Sequence, residues 1–469
     1  MVVNINLFKI EMRTLKNTCN RFLMIILIMI IPACRIFHPS PDEYTYPLKL
    51  SEGNRFLTDQ NDKPFFWSGD AAWSAIVQLN REEVDYYLDD RERKGFTVIL
   101  VNLIDHKFGT HAPANIYNEP PFSNKPFISP NEEYFIHSDY VIQAAASRGI
   151  TVLLCPLYLG WEYGDEGWAE EVKNADPSDL RTWGEFVGKR YADDNNIIWC
   201  IGGDADPSPL KDKVLECVKG ILEYDNRHLF TCHNNPEFIA TNPWKGEKWL
   251  AINNVYSYSQ SLYEFCKNAY DQQPVMPYFM MESAYENEHN ATPQRLRSEA
   301  YWPLLCGAMG HIFGNCPIWH FGSTPKWCGI SDWKNQLNNP GSESAYYMQR
   351  LFRSRPWNLL IPDYDHKVLT EGYGQWGSKD YITAAIASDG TAIIAYLPSG
   401  RQVTVDLSAI SGKKARCWWY DPGTGIPTDI GTFPVEGARQ FEPSSEGDWV
   451  LVIDDASINY PPPGEKRLF

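Results

Sequence analysis

The chain has 469 residues, which exceeds one ordinary domain and accommodates a (β/α)8 barrel with a smaller partner domain. Its 42 basic and 59 acidic residues leave a net charge of −17, which argues against a nucleic acid or an anionic membrane surface as partner, because phosphate binding needs clustered Lys and Arg. Its 17 Trp and 26 Tyr exceed the needs of a core, and such rings suit a wet binding cleft for a ligand such as carbohydrate.

The N-terminus predicts export. From Met12 onward, Arg13, Lys16 and Arg21 precede an apolar run at 22–31, which is too short to span a bilayer and is typical of a signal-peptide core. The run leads into Ile31-Pro32-Ala33-Cys34, which resembles a bacterial lipobox. We therefore predict a signal peptide over 1–34, a lipid on Cys34, a Pro-rich tether over 35–46, and a lipoprotein of the bacterial periplasm or outer membrane and cell surface. An ordinary signal peptide cleaved a few residues later is the alternative.

Eight short apolar runs alternate with amphipathic segments that carry helix start signals, such as Asn80 with Glu83, Ser178, and Thr292 before a proline. Continuous apolar strands separated by helices indicate a parallel sheet, and eight of them favour a closed (β/α)8 barrel over an open doubly wound sheet. No glycine-rich phosphate loop follows the first run, so a dinucleotide fold loses support. The runs span residues 63–73, 96–106, 151–161, 197–204, 228–235, 250–258, 276–283 and 311–321.

The C-terminal quarter has a different pattern. Short β-branched runs alternate with Asp-Gly, Ser-Gly and Pro-Gly turns, and helix signals are missing, which predicts a small antiparallel β-sandwich. We place the barrel at 47–360, the sandwich at 361–456 and a tail at 457–469. Because no aromatic stripe stands clear of the core pattern, we interpret the sandwich as a structural support and not as a binding module.

Cysteine and histidine spacing predicts neither a metal nor another cofactor. Nine cysteines follow the leader without any Cys-x-x-Cys, and no two histidines share a tight ligand spacing. An odd number of cysteines in an exported protein leaves at least one free thiol. The sequence leaves the disulfide pairing open.

Two carboxylates stand out where the runs end, at the face on which barrels of this kind carry their active sites. Asp204 lies at the end of the fourth run and Glu282 at the end of the seventh. Glycoside hydrolysis needs one acid to protonate the leaving oxygen and a second carboxylate to attack or to activate water. We predict Asp204 and Glu282 as the catalytic pair, with their carboxyls about 5–5.5 Å apart. The alternatives are a helix cap for Asp204, although Asp206 lies nearer that helix, and a buried ion-pair or tyrosine partner for Glu282.

The other run ends are polar and aromatic while the run interiors are not, as a sugar cleft would require. We predict that these side chains bind the substrate: Asp70, Trp73, His106, Tyr158, Trp161, His233, Tyr256, Tyr285 and Trp319.

Five segments together resemble the apiosidase-like members of glycoside hydrolase family 140: FFWSGDAAW, IIWCIGGDADP, PYFMMESAYE, GAMGHIFGNCPIW and RPWNLLIPD. The resemblance covers about residues 45 to 455. It implies a (β/α)8 barrel followed by a β-sandwich of the collagen-binding type, with Asp204 as acid/base and Glu282 as nucleophile. It also implies cleavage next to apiose in the pectic polysaccharide rhamnogalacturonan II.

We therefore expect a retaining glycoside hydrolase, a monomer that acts on a plant cell-wall, pectic glycan and contacts the membrane only through its lipid anchor. A non-catalytic surface glycan-binding lipoprotein of a polysaccharide-uptake system is the alternative, and the two intact acids favour the enzyme. A collagen-binding or collagenolytic adhesin is a third hypothesis, which no zinc-protease motif supports.

Overall fold

A computed structural model describes residues 44–323 and 327–465. The signal peptide, the lipidation of Cys34 and nearly all of the tether lie outside these residues and stay predictions. Within the described segments, no helix combines the length and the apolar character that crossing a membrane requires.

The eight apolar runs form eight parallel strands of one sheet, and every residue within these strands is buried, as expected where helices cover the outer face. The sheet closes between its first and last strands in spatial order, where Ile252 donates its N–H to the Phe230 carbonyl at 3.1 Å. The predicted (β/α)8 barrel is thus confirmed. A small antiparallel sheet precedes it. The strands are β1 (Lys49–Leu50), β2 (Leu57–Thr58), β3 (Pro64–Phe65), then, in the barrel, β4 (Trp67–Ala71), β5 (Val98–Asn102), β6 (Thr151–Cys155), β7 (Ile197–Gly202), β8 (Phe230–His233), β9 (Asn253–Tyr256), β10 (Tyr278–Glu282) and β11 (Gly310–Phe313).

Helices connect most of the barrel strands and begin close to the predicted start signals. Asn80 and Glu83 form a reciprocal capping box, and Thr292 caps the helix that opens with Pro293. The prediction for Ser178 is corrected, because Asp176 caps that helix and Pro177 begins it. The helices are α1 (Ala75–Gln78), α2 (Arg81–Arg93), α3 (Glu132–Ala146), α4 (Ala169–Asn174), α5 (Pro177–Tyr191), α6 (Lys211–Tyr224), α7 (Tyr263–Asp271), α8 (Pro293–Leu305), α9 (Trp333–Gln336) and α10 (Pro340–Arg353).

Two antiparallel sheets follow the barrel and form the predicted β-sandwich. The first has six strands in the order β12-β14-β15-β20-β17-β18, and the second has three in the order β13-β16-β19. The strands are β12 (Leu360–Pro362), β13 (Leu369–Glu371), β14 (Thr383–Ala387), β15 (Ala392–Leu397), β16 (Val403–Asp406), β17 (Lys414–Asp421), β18 (Ile426–Pro434), β19 (Ala438–Phe441) and β20 (Trp449–Asp455).

The six-stranded sheet is covered on both faces. Along β15, Ile393 lies in the core between the two sheets, while Ile394 and Tyr396 pack with residues of the barrel helices. The Tyr396 ring stacks on Tyr301 of α8 with centroids 4.8 Å apart. The sandwich therefore covers an apolar side of the barrel.

Candidate active site

A cleft of about 570 Å³ lies at the C-terminal ends of the barrel strands. Its walls combine aromatic rings with carboxylates and amides, which matches the polar and aromatic run ends in the sequence. The lining residues are Trp73, Phe108, Tyr158, Trp161, Glu166, Asp204, Tyr256, Tyr258, Glu282, Tyr285, Asn287, Glu288, His289, Asn290, Trp319 and Trp327.

The barrel brings Asp204 and Glu282 together. A carboxylate oxygen of Asp204 lies within 4.8 Å of one of Glu282, although 78 positions separate the two in the sequence. Asp204 follows β7, and Glu282 is the last residue of β10. The register between β9 and β10 shifts between Met280 and Glu282, an irregularity of the kind that re-aims a side chain at the end of a strand.

Asp204 is half-buried and held from two sides. The Tyr158 hydroxyl donates to the Asp204 carboxylate at 2.6 Å. The Asp204 backbone N–H donates to His233 Nδ1 at 2.9 Å. Asp206 makes the local turn instead, because its carboxylate accepts the Ser208 N–H at 3.0 Å and the Ser208 hydroxyl at 2.6 Å. Neither carboxylate caps α6, whose N-cap residue is Leu210, and the Asp204 carboxylate faces the cleft.

Glu282 is 7% exposed and is hydrogen-bonded by two side chains. Since His233 Nδ1 accepts a backbone N–H, the ring proton lies on Nε2, which donates to the Glu282 carboxylate at 3.1 Å. The Tyr285 hydroxyl also bonds to this carboxylate and accepts the Trp73 indole N–H at 3.2 Å. Burial raises the pKa of Glu282 to about 7, and the Asp204 charge adds to the increase, while the His233 and Tyr285 hydrogen bonds oppose it.

Gly202 and Gly203 bring the partner groups close to Asp204. A Cβ on Gly202, whose φ is +102°, would lie 2.4 Å from the His233 carbonyl oxygen. A Cβ on Gly203 would lie 2.5 Å from the Tyr158 ring. These glycines therefore allow the close approach of Tyr158 and of β8, the strand that carries His233.

Six of the nine predicted substrate-binding residues line the cleft, and a seventh lies behind it. His233 is fully buried and joins the Asp204 backbone to the Glu282 carboxylate, so it positions the pair. The six in the wall are Trp73, Tyr158, Trp161, Tyr256, Tyr285 and Trp319.

Asp70 and His106 do not line the cleft. Side chains alternate in direction along β4, and Trp67, Ala71 and Trp73 belong to the cluster inside the barrel, so Asp70 points outward. Its carboxylate accepts hydrogen bonds from Tyr87 and Arg91 of α2. Asp70 thus fastens α2 to the barrel.

His106 links the loop after β5 to the segment between β6 and α4. Its Nδ1 lies 2.7 Å from the Asp165 carbonyl, its Nε2 lies 3.1 Å from Glu171, and its ring meets the Trp168 ring edge to face.

The loop after β10 supplies cleft residues that sequence reasoning missed. Asn287, His289 and Asn290 line the cleft, and all three have left-handed φ between +50° and +68°. Between them, Glu288 accepts the Trp319 indole N–H at 2.9 Å. Four consecutive polar residues at 287–290, so soon after Glu282, could have identified this loop as part of the site from the sequence. Glu166 and Trp327 reach the cleft from long loops, where no periodic pattern points to them.

A disulfide joins Cys316 to Cys328 and closes the loop that carries Trp319 and Trp327 into the cleft wall. The sequence had left this pairing open. The remaining seven cysteines of the described part of the chain are buried as free thiols.

Among the described residues, two groups of side chains have donor atoms close enough to hold a metal, but their chemistry does not suit one. In the group of Cys316, His320 and Cys328, the two sulfurs are bonded to each other. In the group of Asp204, His233 and Glu282, the His233 Nδ1 lone pair already accepts a hydrogen bond and Nε2 carries the proton. These residues fit proton transfer and nucleophilic attack better than metal binding.

Comparisons with known proteins agree with this fold and domain order. Residues 51–358 match the family model described as "Apiosidase-like, catalytic domain", and residues 361–454 match "Putative collagen-binding domain of a collagenase". A solved structure described as a glycoside hydrolase is 26% identical, with a TM-score of 0.78 over 88% of this chain and 99% of its own. A glycoside hydrolase family 5 structure from Bacteroides vulgatus ATCC 8482 is 26% identical, with a TM-score of 0.79 over 90% and 96%. No curated protein matches the sequence.

Proposed function

Since the chain belongs to the apiosidase-like family of glycoside hydrolases, we propose that it cleaves its glycan with retention, with Glu282 as nucleophile and Asp204 as acid/base. The approach of the two carboxylates to within 4.8 Å carries the proposal. Retaining enzymes hold their carboxyls about 5–5.5 Å apart, whereas inverting enzymes leave roughly 6.5–9.5 Å for a water molecule.

The reaction has two steps in this proposal. Glu282 attacks the anomeric carbon and forms a glycosyl ester, while Asp204 gives its proton to the departing oxygen. Asp204 then takes a proton from water, which attacks the same carbon and releases Glu282. His233 and Tyr285 hold the nucleophile by donating to its carboxylate, and Tyr158 holds the acid/base.

Substitution of each carboxylate separates the two roles. We expect Asp204→Asn to lose at least about a hundredfold in kcat/KM on substrates with poor leaving groups, and to keep glycosylation by an activated aryl glycoside. Glu282→Gln should lose both activities. Equal losses for the two leaving groups in Asp204→Asn would contradict its assignment as the acid, and proton NMR of the first product anomer would show inversion if the retaining mechanism is wrong.

The substrate in our proposal is a plant cell-wall, pectic glycan, cleaved in an apiosidase-like manner. The family match and the aromatic rings of the cleft support it. A screen of the purified protein against defined pectic oligosaccharides, with and without apiose, tests it. Release of sugar only from apiose-free, non-pectic oligosaccharides would refute the pectic assignment.

We further propose that the protein acts as a monomer on a lipid anchor at Cys34 of an exported lipoprotein. The lipobox-like sequence before Cys34 supports the anchor. In bacteria fed labelled fatty acid, the wild type should take up label and fractionate with membranes, and Cys34→Ala should do neither. An unlabelled wild type would show that the segment is an ordinary signal peptide.

A further inference from the structure

A second cavity of about 500 Å³ lies where barrel helix α7 meets the loop between β13 and β14 of the sandwich. We name it the junction pocket. Aromatic rings form one part of its wall, and polar side chains of α7 form another. Its volume falls in the range of small-ligand sites, about 300–1,000 Å³. The residues that matter here are Glu264, Asn268, Tyr364, Tyr373, Trp376 and Tyr381.

The loop at 372–377 places two aromatic side chains, Tyr373 and Trp376, in the wall of the junction pocket. It reads Gly372-Tyr373-Gly374-Gln375-Trp376-Gly377, and its three glycines have φ between +82° and +86°, a region that other residues rarely adopt. Tyr373 stacks on His366 with ring centroids 3.5 Å apart and an angle of 7°. The loop therefore carries a surface tryptophan and a tyrosine that is stacked on His366 of the segment between β12 and β13.

Trp376 is fixed in place yet keeps 40% of its surface exposed. Its ring meets Tyr263 and Tyr381 edge to face, each with centroids 5.0 Å apart. A ring held in this way keeps an accessible surface that a ligand can contact without ordering the side chain, which lowers the entropic cost of binding.

Polar groups lie beside these rings. Glu264 and Asn268 are four positions apart on α7 and so share one face of the helix. Lys267 pairs with Asp271, and its ammonium lies 4.9 Å from the centre of the Tyr364 ring. The charge of Lys267 is thus already neutralised, while the Glu264 carboxylate and the Asn268 amide can hydrogen-bond a ligand. Flat rings next to such groups match the apolar and hydroxylated faces of a sugar.

We propose that the junction pocket is a second carbohydrate site, which binds a neutral sugar residue of a glycan chain. Tyr258 lines the catalytic cleft and Tyr263 contacts Trp376, so five residues of chain, at most about 18 Å when extended, join the two sites. One glycan could span both. That the ligand belongs to the same glycan as the substrate rests on the proposed function.

Affinity electrophoresis tests the second site. Glu282→Gln, which should not digest the probe, would be run in native gels that contain neutral arabinogalactan, neutral galactan, rhamnogalacturonan II or polygalacturonate. We expect retardation by a polysaccharide with neutral sugars, and Trp376→Ala in the same background should weaken it about tenfold, which corresponds to about 1.4 kcal/mol. Tyr224→Ala, which removes another exposed ring, is the control and should not change retardation.

Three outcomes would overturn the proposal: equal retardation of the Trp376→Ala and Tyr224→Ala proteins, no retardation by any probe, or retardation by polygalacturonate alone. If Trp376→Ala unfolds, the half-buried Tyr373 offers Tyr373→Ala as a second variant, and Trp376→Phe should restore binding. In the catalytically intact protein, Trp376→Ala should leave kcat/KM on a short aryl glycoside within about twofold. A wild type without hydrolysis would instead contradict the proposed function, so the two failures are distinguishable.

Discussion

At the scale of single residues, Glu282 is held ionisable in a buried position by the side chains around it. His233 and Tyr285 donate to its carboxylate, and each is fixed by a further contact, to the Asp204 backbone and to the Trp73 indole respectively. These donors oppose the pKa increase that burial and Asp204 cause, but they do not cancel it. The folded protein therefore favours the protonated form of this carboxyl, and ionisation of the buried group lowers the free energy of unfolding.

This balance predicts how stability depends on pH. The folded pKa of Glu282 is about 7 against an ordinary value of 4.5, so its contribution to the free energy of unfolding is fully present below about pH 4.5 and is lost as the pH rises through about 7. Glu282→Gln should therefore raise the free energy of unfolding at pH 8 by about 1–3 kcal/mol and leave it nearly unchanged at pH 4. Urea unfolding at the two pH values measures this, with the exposed Glu446→Gln as control. An equal effect at both would contradict the argument.

The same pKa predicts the activity profile. A nucleophile must be ionised, so kcat/KM should rise as the pH passes about 7 in the free enzyme. Tyr285→Phe removes a donor to the ionised carboxylate and should shift this limb to higher pH. The pH dependence of kcat/KM should be measured with an activated aryl glycoside, because its cleavage needs little proton donation from Asp204. A limb that moves to lower pH in the variant would contradict the role of Tyr285.

At the scale of elements, the ends of the strands place the chemistry. β7 pairs Gly202 with His233 of β8, so Asp204 emerges beside the ring that contacts both carboxyl residues. The extra room that glycine gives is occupied by protein: the His233 carbonyl next to Gly202 and the Tyr158 ring next to Gly203.

Gly202→Ala tests that close approach. Its new Cβ would meet the His233 carbonyl in a backbone conformation that L residues rarely adopt, so we expect a loss of about 2–4 kcal/mol in the free energy of unfolding. Gly53 also has a positive φ, +82°, but no atom lies within 4 Å of its added Cβ. Gly53→Ala should therefore cost only about 1–2 kcal/mol. Equal losses in thermal unfolding would show that the contact with β8 is unimportant.

At the scale of the whole molecule, the sandwich and the barrel share a core and a set of ion pairs. Arg297 of α8 forms a two-point bond with Asp448, at 2.7 Å for both contacts, and Arg355 does the same with Asp454. Both Arg355 and Asp454 are buried. These contacts favour the sandwich as a structural support, in line with the sequence interpretation, while its loop with Trp376 adds a surface that the sequence interpretation did not include.

This junction predicts cooperative unfolding. Arg355→Met leaves the Asp454 carboxylate buried and without its cation, which typically costs about 3–5 kcal/mol. The double variant Arg355→Met/Asp454→Leu removes both charges and should recover most of that loss. Differential scanning calorimetry should show one transition for the wild type and for both variants. Separate transitions for barrel and sandwich would contradict a shared core.

The sequence by itself determined the barrel, the sandwich and the two carboxylates. Continuous apolar runs indicate parallel strands, and the C-terminal ends of such strands meet at one face, so Asp204 and Glu282 could be placed together without coordinates. The segments around both residues that resemble the apiosidase-like family strengthened that prediction.

Only the tertiary structure decided which neighbouring side chains face the cleft. Asp70 lies near the end of β4 but its side chain points outward, because direction alternates along a strand and the sequence does not reveal which residue faces inward when both faces are apolar. The sequence also does not reveal what covers the two apolar faces of β15, because one of them packs against the barrel. The Cys316–Cys328 pairing, the role of His233 as a bridge and the junction pocket likewise depend on contacts between distant segments. Local sequence patterns specify periodicity, whereas such contacts follow from how the elements pack.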